Sequence, residues 1–423
     1  MNAPNDKLHS AKMYDERNAI LTPADGSIVP HILLFLVQMA ALSSPPFRNR
    51  KTVFSGAIVI LAVLANVNRF TDDPKLAQFF SLAWPHYLNV LEKLLTSPSP
   101  GPEAAFWRED RPAQEAMSFA PFRFSKLVWA FVIWFNLRGI RWNYQVANIP
   151  AEPLGRSPGK WRFLADRVLT FIRLLCMADV LSHLAILNFY TTAHGGPVDS
   201  RTLTTRHPKF ACQLYRTATV GMIPYTFMNL QYVGGAILWV VLGISQPADW
   251  PPFFGCLSQV TTVRAFWGKY WHQMIRRTVN VYTGFFCDLL HLRPGTIRTY
   301  IRLWLSFAIS GVMHWAAIYI IPAPMNLSFS ERSVGFVKFF LLQAAAITLE
   351  DFIQFLYQRI APGMAATPRR WHRWLGHAWA VFWFGFSLPF FLDIMLKMKN
   401  LEEPLLPGTV MRPLVPYLAA CAN

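Results

Sequence analysis

Charge is scarce in this sequence of 423 residues: Asp, Glu, Lys and Arg together make up only 15% of it, against about 25% in soluble domains. With 53% hydrophobic and 15% aromatic residues, that shortage excludes an ordinary water-soluble domain. Acidic residues are the scarcer kind, 23 against 40 Lys+Arg, which leaves a formal charge of +17. Nucleic acid is the weakest explanation for that excess. The basic residues gather in gaps between apolar blocks, as at Arg48, Arg50 and Lys51 or Arg369, Arg370 and Arg373, where the positive-inside rule places them. Membrane topology and a polyanionic substrate both account for such a pattern.

Cysteine is also sparse. The five residues Cys176, Cys212, Cys256, Cys287 and Cys421 are far apart and form no Cys-x-x-Cys pair, so neither a zinc site nor a disulfide framework is indicated and free thiols are expected. A Gly-x-Ser-x-Gly elbow, a phosphate-cradling Gly-rich loop, a His-Glu-x-x-His helix and the His-x-x-x-Asp of soluble acyltransferases are all missing. No metal site is expected. The first 27 residues are polar and of mixed charge, without the basic start and apolar core of a cleavable signal.

What is present is a series of apolar blocks at about 28–44, 53–67, 163–190, 219–246, 301–321, 335–357 and 377–397, with weaker ones near 78–95 and 127–137. Most approach the ~20 residues that cross a bilayer core. The pattern predicts an all-α polytopic membrane protein of about eight or nine helices, the short and charged blocks being tilted or interfacial. Between the blocks lie the Pro/Ser/Gly stretch 97–106 and loops 144–160, 191–216, 247–299 and 322–334. Segment 247–299, basic through Arg264, Lys269, Arg276, Arg277, Arg293 and Arg298, reads as cytosolic. Loop 322–334 then reads as lumenal, and it contains the acceptor tripeptide Asn326-Leu327-Ser328. The basic loop 191–216 conflicts with that scheme, because a single crossing by 219–246 makes it lumenal too.

His314 lies over halfway along the apolar block 301–321, and an ionisable side chain there is a functional hypothesis by default. Helical spacing puts Ser310 one turn before it and Gly311 three residues before, a polar strip with room for close approach. A neutral histidine hydrogen-bonded across a bundle is the structural alternative. Residues 263–273, Val-Arg-Ala-Phe-Trp-Gly-Lys-Tyr-Trp-His-Gln, followed by Arg276 and Arg277, read as an aromatic, basic amphipathic helix. Its Trp267–Trp271 and His272–Arg276 pairs would lie one turn apart, and on composition alone an interfacial anchor is the better account of it.

Together these two stretches resemble the membrane-bound O-acyltransferase superfamily in its wax-synthase-like branch. Three others agree with fungal members of the branch: Arg138-Gly139-Ile140-Arg141-Trp142-Asn143, Trp250-Pro251-Pro252-Phe253-Phe254-Gly255 and Glu350-Asp351. Their order matches across roughly 120–390. The resemblance implies a polar N-terminal segment 1–27, a membrane O-acyltransferase domain 28–400 and a tail 401–423, in the endoplasmic-reticulum membrane.

The activity implied is transfer from an acyl-CoA co-substrate, acetyl-CoA first, to an apolar alcohol that enters from the bilayer. Fungal members acetylate terpenoid or meroterpenoid intermediates; a long-chain wax-ester synthase is the alternative within the same chemistry, and a transporter or lipid-binding scaffold the alternative outside it. Under the resemblance His314 is the catalytic base, and neutral imidazole suits that task in dry surroundings. His272, where plant wax synthases carry Asn, is assigned to orient the thioester or stabilise the oxyanion. Trp267, Trp271, Arg264, Lys269, Arg276 and Arg277 are the expected coenzyme-binding residues, positive-inside charge being the rival explanation for the four cations. Ser310 and Gly311 are expected to face substrate. Glu350-Asp351 is expected to pair with Arg359.

Overall fold

The computed structural model describes residues 20–150, 159–190, 198–360 and 370–404. Residues 1–19, Arg369, Cys421 and most of the 401–423 tail lie outside them. The described residues form helices, with two isolated bridges, Leu21 to Pro324 and Arg108 to Trp142, in place of any sheet. The twelve helices used below are α1 Val29–Ser43, α2 Arg50–Asn66, α3 Pro74–Ser81, α4 Trp84–Thr96, α5 Phe124–Phe135, α6 Lys160–Ala185, α7 Phe210–Val241, α8 Arg276–Leu289, α9 Thr296–Ala317, α10 Val334–Ile360, α11 Arg370–Ser387 and α12 Pro389–Lys397.

Among the described residues three helical stretches are long and apolar enough to cross a membrane: Lys160–Tyr190, Thr296–Ile320 and Trp371–Lys397. Val29–Ser43 and Phe124–Phe135 are apolar but shorter. Two blocks that read as continuous are each divided, 78–95 into α3 and α4 and 377–397 between α11 and α12. At both breaks the following helix opens with proline in its first turn, Pro85 and Pro389. Proline lacks the N–H that the first turn leaves unpaired, and its fixed φ already suits a helix.

The chain divides into two compact units. One comprises Pro23–Ile149 and His272–Pro322, hence α1 to α5, α8 and α9. Its core runs through Leu34, Leu42, Ile58, Trp84, Val90, Ile133 and Trp142. Arg50, one of the basic residues between the first two apolar blocks, is buried and bonded at 2.7 Å to the buried Glu103. The motif 138–143 folds as a tight loop: Asn136 bonds both the N–H and the C=O of Ile140, and Asn143 Nδ2 donates to the Ala105 carbonyl. Gly139 is needed there, since its φ is +62° and a Cβ would come within 2.5 Å of the Tyr144 ring.

The other unit comprises, among the described residues, 20–22, 150, 159–190, 198–271, 323–360 and 370–404, hence α6, α7 and α10 to α12. Arg201 donates from Nε to the Asn326 carbonyl at 2.9 Å and lies 3.6 Å from Glu331, while Asn326 Nδ2 donates to Asp199. Segments 198–216 and 323–334 are therefore joined within this unit. Arg201, one of the four cations of the basic loop, is held there by a carbonyl and a carboxylate of the 322–334 loop. Cys212 is disulfide-bonded, against the expectation of free thiols throughout; Cys176, Cys256 and Cys287 are free.

Candidate active site

His314 sits on α9 with its Nδ1 2.7 Å from the carbonyl oxygen of Ser310. A carbonyl can only accept, so Nδ1 carries the proton of the neutral ring and Nε2 carries the lone pair. The tautomer needed for a base at Nε2 is thus set one helical turn away. Trp84, the first residue of α4, meets the imidazole edge to face with ring centres 5.4 Å apart. Ser310 is buried and its hydroxyl donates back to Ser306 O at 3.0 Å. Gly311 is buried as well. The polar strip seen in the sequence consequently acts on His314 through backbone, with the serine hydroxyls bonded within their own helix.

Residues 263–273 do not form one helix. A short turn Val263–Ala265 passes into a π-helical segment Phe266–Tyr270, closed by a bond from Trp271 N–H to Phe266 O at 2.8 Å. Trp271 is extended, and the chain leaves the turn before His272. The wide turn is fixed from outside: Gly255 N–H donates to Tyr270 O at 2.8 Å, and a Cβ on Gly255 would lie 2.2 Å from Lys269 O. The expected one-turn pairing of His272 with Arg276 is therefore lost, although Arg276 folds back to bond Gln273 Oε1 at 3.0 Å.

His272 lies in the same unit as His314, with its Nδ1 shielded from solvent. Burial, followed by the neighbouring His314 and Arg138, holds its pKa down at about 3. The ring is neutral at physiological pH. Arg138, the first residue of the 138–143 motif, is thereby placed near the histidine pair. Nothing in the sequence beyond the motif itself singled it out.

Trp267 packs among Phe339 and Phe340, and its indole N–H points to Gln343 Oε1 at 3.4 Å. Trp271 stacks on Phe266 with ring centres 5.4 Å apart. Glu350 accepts from the N–H groups of Val263 (2.6 Å) and Arg264 (3.1 Å) and from Trp379 Nε1 (2.7 Å). Arg264 itself pairs with Asp351. The expected Glu350-Asp351 pairing with Arg359 does not occur; Arg359 lies over the Phe355 ring at 4.7 Å. The acidic pair instead holds the start of the 263–270 turn, satisfying N–H groups that a helix beginning leaves open.

Of the remaining expected cations, Lys269 is exposed, and Arg277 bonds the fully buried Glu92 at 2.9 Å. Lys93, equally buried, lies 3.3 Å from Glu92 and 3.7 Å from the Tyr144 ring centre. Arg276 and Arg277 line a cavity of about 400 Å³ together with Arg302, a residue the sequence did not bring forward because it reads as the charged rim of a spanning helix.

His314, on its apolar helix, thus lies near a second histidine, His272. The chain belongs to the membrane-bound O-acyltransferase family, whose model matches residues 250–342; a second model, the C-terminal domain of aspirochlorine biosynthesis protein F, matches 159–241. Aspirochlorine biosynthesis protein F of Aspergillus oryzae is 42% identical over 54% of this chain and 89% of its own length. The acetyltransferase sirH of Emericella nidulans is 29% identical over 61% of this chain, which spans only 57% of that protein. The O-mevalon transferase yanI of Aspergillus niger is 26% identical over 83% of this chain and 82% of its own length. No solved structure matches.

Proposed function

We propose that this chain transfers an acyl group, acetyl first, from a coenzyme A thioester to a hydroxyl of an apolar terpenoid-type alcohol. The observation that carries this reading is the bond from His314 Nδ1 to Ser310 O, 2.7 Å long, which leaves Nε2 as a base beside an apolar helix. His314 Nε2 takes the alcohol proton as the oxygen attacks the thioester carbonyl. The tetrahedral intermediate collapses by breaking the C–S bond, and the imidazolium returns its proton to the departing thiolate. No covalent acyl-enzyme is needed. Neutral His272 orients the thioester or donates a hydrogen bond to the developing oxyanion.

The relatives named as acetyltransferases favour a short donor, and the Aspergillus niger relative, named for mevalon transfer, favours a longer one as the second reading. On this reading residues 28–400 are one membrane domain of about eight or nine spans, seated in the endoplasmic reticulum, with the bilayer delivering the alcohol. The test is microsomes containing the chain, supplied with labelled acetyl-CoA, a hydroxy-acyl-CoA or palmitoyl-CoA and a panel of terpenoid and fatty alcohols. An ester formed with the first two donors supports the reading, and one formed only with palmitoyl-CoA and a fatty alcohol moves the assignment to wax synthesis. Absence of ester from every pairing would sink it.

A further inference from the structure

Trp84 brings to His314 a polar group for which the mechanism above has no use. Its side chain is 4% exposed, and its indole N–H, shielded from solvent, meets no acceptor among the described residues. Indole nitrogen can only donate, and a buried tryptophan ordinarily finds an acceptor, because a bond left unmade forfeits hydration without return. Trp134, packed against the same core, does so by donating to Gln38 Oε1 at 3.0 Å. Trp142 shares the unpaired state of Trp84 but tilts against Tyr144. What distinguishes Trp84 is its neighbour, the imidazole of the proposed base.

The break in the 78–95 block puts it there. Helix α3 packs on the Ile318–Ile320 turn that follows α9, and after Leu82 and Ala83 the chain restarts as α4 at Trp84. Trp84 then enters one core with Leu34, Trp129 and Ala317, against which Met313 also packs. Met313 and Ala317 flank His314 in sequence, so the indole is seated against α9 at the level of the imidazole. Ring centres 5.4 Å apart leave both side chains within the span of two hydrogen bonds of about 3 Å each. One small reacting group can meet both.

On the reading that His314 activates an alcohol toward a coenzyme A thioester, two oxygens come to this place. The alcohol oxygen gives its proton to Nε2 and its lone pair to carbon, so a donor aimed at it would slow attack. The thioester carbonyl oxygen gains charge as the C=O pair moves onto it. A donor there stabilises the transition state more than the bound substrate. We propose that the Trp84 indole N–H donates to the thioester carbonyl oxygen, making Trp84 a catalytic residue that joins His272 in holding the oxyanion. The indole keeps its proton throughout, and the electron pair returns to the C=O bond when the C–S bond breaks.

Trp84→Phe keeps an aromatic ring in the core and removes the N–H, and Trp129→Phe makes the same change elsewhere in that core. Ester formation from acetyl-CoA is measured for both in nanodiscs, with an alcohol that wild type accepts. Trp84→Phe should lower kcat by about tenfold to a hundredfold with KM changed about twofold or less, and Trp129→Phe should cost about threefold or less. A second measurement reads the bond itself. The full chain carrying ¹⁵N-indole tryptophan is given acetonyl-CoA, whose ketone stands in for the thioester and cannot transfer, and the Trp84 signal is identified by its loss in Trp84→Phe or Trp84→Leu. Its N–H proton should move downfield on binding. The proposal is overturned if Trp84→Phe loses no more kcat than Trp129→Phe, or if the Trp84 proton stays in place while acetonyl-CoA inhibits transfer competitively. Either result leaves the acyltransferase reading standing, whereas absence of ester from wild type with every donor sinks that reading and the Trp84 assignment with it.

Discussion

The imidazole of His314 is held by the peptide oxygen of Ser310, 2.7 Å from Nδ1, so the orientation of the proposed base comes from main chain and survives changes of side chain at position 310. His314→Ala is expected to lower kcat by about a hundredfold to ten-thousandfold, the range of a lost general base. Ser310→Ala removes only a hydroxyl bonded to Ser306 O and should cost about threefold or less. Steady-state ester formation reads both, and a loss at Ser310→Ala as large as that at His314→Ala would show that the hydroxyl touches substrate.

His272 gives a pH prediction. Its folded pKa of about 3 lies below the ordinary 6.5, so the unfolded chain binds the proton first as pH falls. Stability contributed by the neutral ring is present above pH 6.5 and declines between 6.5 and about 3. Thermal unfolding in detergent at pH 7 and pH 4.5 should show a larger drop for wild type than for His272→Asn, which does not titrate. Equal drops would show that burial of this ring does not set the acid limb.

Arg277 and Glu92 are predicted to behave as a buried ion pair. Glu92 is fully buried and the Arg277 side chain is 26% exposed. Arg277→Gln leaves a buried carboxylate with Lys93 as its remaining neighbour, and a cost of about 3–5 kcal/mol is expected. Arg277→Gln combined with Glu92→Gln should recover much of it. Denaturant unfolding measures the cycle, and additive losses would mean the two residues act separately.

Glu350→Gln is predicted to loosen the 263–270 turn. The carboxylate accepts two backbone N–H bonds there, each charged bond contributing about 1.5–3 kcal/mol. Hydrogen exchange at Val263 and Arg264 should quicken in the variant, whereas Asp351→Asn, which acts on the Arg264 side chain, should leave the Val263 amide slow.

Asn326 is predicted to carry no glycan even where its loop is lumenal. The side chain is 5% exposed and its amide nitrogen donates to Asp199 at 3.1 Å, so the acceptor atom is already engaged. Peptide N-glycosidase should cause no mobility shift, and Met325→Cys, at a position 49% exposed, offers an impermeant-thiol label that reports the side directly. A glycosidase-sensitive shift would show that the folded loop opens.

Long helices were legible because sustained apolarity needs no partner to declare itself: block 301–321 lies on Thr296–Ala317 and its 310 turn, and block 335–357 within Val334–Ile360. His314 stood out for the same reason, as one ionisable group in such a run. The wide turn at Phe266–Tyr270 was hidden, since helical periodicity fits residues 263–273 and only contacts from Gly255 and Glu350 reveal another path. Arg302 was hidden too. A cation near the end of a spanning helix satisfies the charge rule by itself, and only the loop residues Gln145 and Ala147 beside it turn the position into a cleft.

The close approach of Gly255 to Lys269 O has a consequence for variation. With a methyl group at 255 placed 2.2 Å from that oxygen, no single replacement there preserves the turn, and a change on one strand of the contact demands a matching shift on the other. The Trp250–Gly255 stretch and the Phe266–Tyr270 turn are therefore interlocked as key and ward, and directed evolution of this chain should recover substitutions in the two stretches in pairs or not at all.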